Sequence, residues 1–144
     1  MLIMEKTDIA LIRCYSENFN HKTSINRHEP ACSDLKISFS DGKIKNTYLL
    51  TINISVNAVI NDTELSISTF TEFWFRCENF DPQPFYAKEI ETMVELVSCA
   101  YNNARILFYV EYKSIKHLQK FYLPFKFASD IKSWMANSDV YNKL

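Results

Sequence analysis

Three histidines, four cysteines and seventeen acidic residues are the side chains with which this 144-residue chain could do chemistry. His21, His28 and Cys32 share a polar stretch. A metal site needs three or four ligands at compatible spacing, and no C-x-x-C pair supports a zinc ribbon or a thioredoxin motif. Solvated histidines are the simpler reading, for these two and for His117 in Lys116-His117-Leu118-Gln119. Glu89, Glu91 and Glu95 read as the wet face of a helix. Glu72 differs, because strand alternation puts it between Phe70 and Trp74 on one face, where it would be partly desolvated. Serines and cysteines are many, but no strand-turn-helix elbow with flanking glycines marks a nucleophile. The only glycine is Gly42, where usual composition of about 7% would supply about ten. A glycine-rich phosphate loop or dinucleotide fingerprint is therefore excluded. No catalytic residue, metal ligand set or cofactor is expected, and the chain reads as a binder.

Bulk properties narrow the partners. The net charge is −1 and the basic residues are scattered, so no field is available to grip nucleic acid or an anionic membrane. No run approaches the ~20 apolar residues that span a bilayer. The apolar run at the N-terminus is too short for a signal peptide, so a cytoplasmic protein is expected. Cys14, Cys77 and Cys99 lie in apolar-patterned segments and read as buried small hydrophobes, whereas Cys32 reads as an exposed thiol. Aromatics are the abundant resource: eleven Phe, eight Tyr and two Trp. They exceed what one dry sheet face and a helix stripe can hold. An exposed apolar surface follows, which means an oligomer interface or a sequence-tolerant peptide groove.

The elements that must position these residues follow from periodicity. Residues 8–19 read as a first strand, and 20–34 as a long polar loop. Leu35, Ile37 and Phe39 alternate with polar residues as a short strand that ends at the Asp41-Gly42 turn. Leu50, Ile52, Ile54, Val56, Ala58 and Ile60 carry the clearest period of two. After Asn61-Asp62, Leu65, Ile67, Thr69, Thr71, Phe73 and Phe75 repeat it, and the pair reads as a long antiparallel hairpin. Phe70 and Trp74 then stand on the nominally wet face. From Ala87 the period becomes helical through Ile90, Met93, Val94, Val97 and Tyr101. Asn102-Asn103 reads as a break before a second helix, from Ala104 to about Ser114, with Ile106, Tyr109, Val110 and Lys113 on one face; a strand is the alternative there. Tyr122-Leu123-Pro124-Phe125 reads as extended. Ser129-Asp130 opens a short helix with Ile131, Trp134 and Met135 inward. Strands followed by helices mean α+β, an antiparallel sheet covered on one face.

The run Tyr101-Asn102-Asn103-Ala104-Arg105-Ile106-Leu107-Phe108, followed by Phe121-Tyr122-Leu123-Pro124-Phe125, resembles the SecB family of export chaperones and SecB-like proteins. In that family a helix ends near an Arg or Asn preceding a Leu-Phe pair. A second helix, an extended Leu-Pro segment and a short C-terminal helix follow. Tyr15-Ser16-Glu17-Asn18-Phe19 is similar to the end of the family's first strand, and the hairpin with its aromatic ending Phe73-Trp74-Phe75 fits as well. The chain departs in a shorter connection without glycine and in Val110-Glu111-Tyr112, which replaces a Pro-Tyr-Ala-Arg type sequence. Its near-neutral charge replaces the family's acidic surface, which speaks against docking on the translocase motor.

The resemblance implies one domain over residues 1–144: a four-stranded antiparallel sheet covered on one face by two helices of the C-terminal half. It also implies assembly as a dimer or dimer of dimers. The implied function is that of an ATP-independent holdase, which binds unfolded or preprotein polypeptides by apolar burial. Phe70 and Trp74 on the sheet, and Phe108, Tyr112 and Tyr122 near the second helix, are the candidate binding residues. The same residues could instead form a subunit interface. The alternative function is a dedicated interaction module, an immunity, antitoxin-associated or adaptor protein on the same scaffold.

Overall fold

The computed structural model describes residues 9–22, 29–60, 63–78, 89–113, 123, 125–136 and 139–140. Strands β1 (Ile9–Lys22), β2 (Glu29–Asp41), β3 (Thr47–Ile60) and β4 (Thr63–Arg76) come first. Helix α1 (Ile90–Tyr112), helix α2 (Ala128–Ala136) and the two-residue strand β5 (Asp139–Val140) follow. The sheet order is β1-β4-β3-β2-β5. The four long strands are antiparallel, and β5 adds to the β2 edge in parallel.

One sheet face is dry. Leu35, Ile37 and Phe39 of β2, Leu50, Ile52, Ile54 and Val56 of β3, and Leu65, Ile67, Phe73 and Phe75 of β4 are buried there. Each fully buried side chain of this kind contributes about 1.5–3 kcal/mol. Against them lie Met93, Val94, Val97, Ala100, Tyr101, Ala104 and Phe108 of α1, with Ile131 and Met135 of α2. Lys126 lies over the rings of both Tyr101 and Trp134, which meet edge-on at 5.5 Å and tie the two helices together. The Phe127 N–H donates to Asp130 Oδ2 at 3.0 Å, half of a capping box at the start of α2. Among the described residues no helix is long and apolar enough to cross a membrane.

The strands extend further than alternation predicts. Much of the expected loop at 20–34 is strand: residues 20–22 end β1 and residues 29–34 open β2. Two bulges explain why β1 shows no steady period of two. Ile12 is an extra residue between the Leu11↔Phe73 and Arg13↔Glu72 pairs, and Asn18-Phe19 oppose one residue between Glu17↔Ser68 and Asn20↔Ser66. Each bulge exchanges the faces. Ile9 and Leu11 stand opposite the dry-face Phe75 and Phe73, whereas Arg13, Tyr15 and Glu17 stand opposite Glu72, Phe70 and Ser68 on the other face. Asn18 takes φ 55°, a left-handed conformation that Asn tolerates.

Helix α1 is the second difference. It runs unbroken through Asn102-Asn103. The Asn102 Oδ1 accepts from Arg105 Nη1 at 3.3 Å, and Asn103 Nδ2 reaches back to Cys99 Sγ at 3.8 Å. Asparagine costs a helix at most ~0.7 kcal/mol, less than the burial gained by carrying the stripe Tyr101, Ala104, Phe108 and Tyr112 onward. Cys77 is buried as expected, but Cys99 is only partly buried and Cys14 is exposed, because β1 is the sheet's outermost strand.

Candidate functional site

Among the described residues, two surfaces on opposite layers carry the candidate binding side chains. The first is the sheet face turned away from the helices. Phe70 and Trp74 of β4 are there, both half-buried, as strand alternation requires. Phe70 stacks on Tyr15 with ring centroids 5.2 Å apart. Trp74 pairs in register with Ala10 and Leu49 and lies beneath Arg76, whose guanidinium carbon is 5.5 Å from the ring centroid. Between the two aromatics, Glu72 receives both Arg13 Nε and Arg13 Nη2. The carboxylate raises the Arg13 pKa above its ordinary value, chiefly through that hydrogen bond. Glu72 is thus a paired carboxylate. Around this strip the face is polar: Thr51, Asn53 and Ser55 of β3 and Lys36 and Ser38 of β2.

The second surface is a groove of about 430 Å³ beside α1, lined by Asn102, Arg105, Ile106, Tyr109, Tyr112 and Leu123. The helical members recur at three and four residues, so they form one stripe of α1. Ile106 is 61% exposed and Tyr109 39%. Arg105 Nε donates to the Leu123 carbonyl at 3.1 Å and so joins the helix wall to the opposite wall. Beyond Leu123, Phe125 (55% exposed) and Phe127 (68%) pack edge to face at 5.1 Å and extend the apolar surface.

Phe108 and Tyr112 do not form an exposed surface. Phe108 is wholly buried and Tyr112 is 1% exposed, because the unbroken helix puts them on the stripe facing the sheet. Both belong to the core, and Tyr112 also lines the groove from beneath. Phe108 packs on Tyr112 at 4.9 Å, and Tyr112 packs on Tyr109 at 5.6 Å, a chain of rings from core to groove floor. Tyr122 lies outside the described residues, as do His28, His117 and the side chains of His21 and Cys32. The fold therefore does not bring Phe70 and Trp74 to the same surface as Phe108 and Tyr112.

Sequence reasoning missed Arg105, Leu123 and Asn102 as groove residues, and grouped Ile106, Tyr109 and Val110 without assigning them a surface. The signal was the helical phase. Continued from Met93, Val97 and Tyr101 without a break, it puts Ala104, Phe108 and Tyr112 inward and leaves Ile106, Tyr109 and Val110 outside.

No protein-family model matches the sequence, and no curated protein is significantly similar to it. Solved structures do share its fold. A protein of unknown function from Streptococcus agalactiae superposes with a TM-score of 0.56 at 11% identity, over 87% of this chain and 99% of the other. The SecB-like chaperone Rv1957 of Mycobacterium tuberculosis, solved in complex with a ChAD peptide from the Rv1956 HigA1 antitoxin, superposes with a TM-score of 0.55 at 10% identity. That match covers 84% of this chain and 89% of the other. The chain thus has a SecB-like fold, a four-stranded antiparallel sheet with two helices on one face.

Proposed function

We propose that this chain is an ATP-independent, holdase-type binder of non-native polypeptide segments, and that the groove beside α1 is where a segment sits. One observation carries the reading: an open apolar groove with exposed Ile106 and Tyr109, continued by exposed Phe125 and Phe127. A monomer gains nothing from presenting such a surface to water, and apolar burial is non-directional enough to accept many sequences. The SecB-like fold supports the reading, since a structural neighbour with that fold is a chaperone holding a peptide. The free thiols of Cys14 and Cys99 are in keeping with a reducing, cytoplasmic setting.

Self-association belongs to the same proposal. β1 has β4 on one side and, among the described residues, no strand on the other, whereas β5 covers part of the opposite edge. Leu11 and Ile12 are exposed on it, and Ile9–Lys22 contains no proline to blunt it. Between and beyond its two bulges, this edge has backbone groups that can pair with a second copy. The second reading is a dedicated partner protein, favoured by the antitoxin peptide on the neighbour.

Dilution of an unrelated denatured protein into buffer with and without this chain tests the proposal, with complex mass followed by light scattering. Suppressed aggregation at near-stoichiometric ratios without ATP supports the holdase. No suppression by the folded protein sinks it and leaves the dedicated partner.

A further inference from the structure

Among the described residues that line the groove, Arg105 alone is charged. Arg105 Nε donates to the Leu123 carbonyl and Nη1 to Asn102 Oδ1, while the guanidinium carbon lies 5.7 Å from the Phe125 ring centroid. Both acceptors are neutral. Among the described residues no carboxylate pairs with Arg105, whereas Arg13 holds Glu72 and Lys132 holds Glu91. Among the described residues the Nη2 donors have no acceptor. The groove therefore presents a full positive charge on a planar fork that two neutral acceptors already orient, so little side-chain entropy is lost when a carboxylate arrives.

On the proposed-function reading, we propose that Arg105 makes the groove selective for extended segments carrying an Asp or Glu side chain two positions from the apolar residue that fills it. The spacing follows from geometry. Arg105 and Tyr109 are one turn apart on α1, about 6 Å along the axis, and side chains two apart on an extended chain are separated by about 6.6 Å on the same side. A carboxylate on the guanidinium fork and an apolar side chain against Tyr109 and Ile106 then fit one strand of ligand. Charge-assisted bonds to a fixed fork discriminate strongly between a carboxylate and an uncharged amide. The occupant is an internal segment, so its carboxylate comes from a side chain.

The test uses the full chain and fluorescein-labelled peptides, acetylated and amidated at their ends, with one Leu and a Glu, Gln or Lys two positions on. A fourth peptide carries Gln and a free C-terminal carboxylate, and a fifth replaces the Leu with Ser. Anisotropy titration is expected to show the Glu peptide bound about tenfold more tightly than the Gln peptide, and the Lys peptide most weakly. In Arg105→Gln the Glu-to-Gln ratio falls to about one, and in Arg105→Lys part of it survives. The ratio on the unaltered protein shrinks with added salt, so that protein alone decides the matter if Arg105→Gln misfolds. Equal binding of Glu and Gln peptides, an unchanged ratio in folded Arg105→Gln, or a preference only for the free C-terminus overturns the proposal while leaving the groove in place. If no peptide binds, or the Ser peptide binds as well as the Leu peptide, the groove reading fails and this proposal fails with it.

Discussion

Phe70 lies flat against Tyr15 across the β4–β1 pair, with ring planes within 17° of parallel. The two residues are register partners, and Arg13 caps the same Tyr15 ring with its guanidinium carbon 4.8 Å from the centroid. This stack fastens an edge strand on the sheet face that, among the described residues, no helix covers. A double-mutant cycle with Tyr15→Ala and Phe70→Ala is expected to give a coupling of about 0.5–1.5 kcal/mol in urea unfolding. Additive single effects would show that the stack does not hold β1.

Groove substitutions separate binding from folding. Ile106 is mostly exposed, so Ile106→Asp is expected to leave stability within about 0.5 kcal/mol. The same change puts a charge in the apolar groove and is expected to cut suppression of aggregation several-fold. Trp74→Ala, on the opposite layer, is expected to leave suppression unchanged. If Trp74→Ala abolishes suppression and Ile106→Asp does not, the binding surface is the sheet face.

The continuity of α1 is open to a direct check. Proline at Asn103 would remove the N–H of that residue and clash with the Cys99 carbonyl one turn back. In an uninterrupted helix that costs about 3 kcal/mol or more. Asn103→Pro is therefore expected to lower the urea midpoint sharply. A helix that ended at Asn102-Asn103 would tolerate it with little loss.

Gly42 is required by space and not by backbone angle. A Cβ there would lie 2.8 Å from the Thr47 carbonyl oxygen and would strike the Thr47 hydroxyl as well. That carbonyl accepts the Gly42 N–H at 2.8 Å, so it cannot retreat without losing the bond that closes the β2–β3 turn. Gly42→Ala is expected to cost about 1–3 kcal/mol. Unchanged stability in chemical denaturation would contradict the geometry.

Alkaline pH should loosen the fold. Burial is the main cause raising the Cys99 thiol above its ordinary 9.0, and the Tyr101 hydroxyl above its ordinary 10.0. Both groups hold their protons longer folded than unfolded. Between each unfolded and folded pKa the native state binds more protons, so stability falls as pH rises. Below the unfolded values these groups impose no slope. Thermal unfolding is expected to be flat in this respect near neutrality and to decline from about pH 9, with the earlier part of the decline removed in Cys99→Ala. A decline of the same onset and size in that variant would exclude Cys99 as its source.

The hairpin was legible in the sequence because its strands have one face on a continuous core, which enforces the alternation of Leu50 to Ala58 and Leu65 to Phe75. Residues 20–22 and 29–34 were not legible. Lys22 and Asp34 are exposed, and where side chains face water no alternation is enforced. In β1 the two bulges erase the period from inside. On α1, local asparagine propensity outweighed phase in the reading, whereas burial of Phe108 and Tyr112 outweighed propensity in the molecule. Phe70 and Trp74 were placed on their face by parity alone. Arg105 stands in the run that carries the family resemblance, but sequence alone gives it no surface; the tertiary position of Leu123 makes it a groove wall.

The chain of rings from Phe108 through Tyr112 to Tyr109 has a thermodynamic consequence. The groove floor and the hydrophobic core share a side chain, so an occupant that packs on Tyr109 also restrains Tyr112 and, through it, the core. Any ligand that binds the folded and not the unfolded chain adds RT ln(1 + [L]/Kd) to its stability, and the shared Tyr112 carries the restraint from the groove into the core. If the groove takes a segment, the expected sign is a rise in the unfolding temperature of the whole chain, read with no label on either partner.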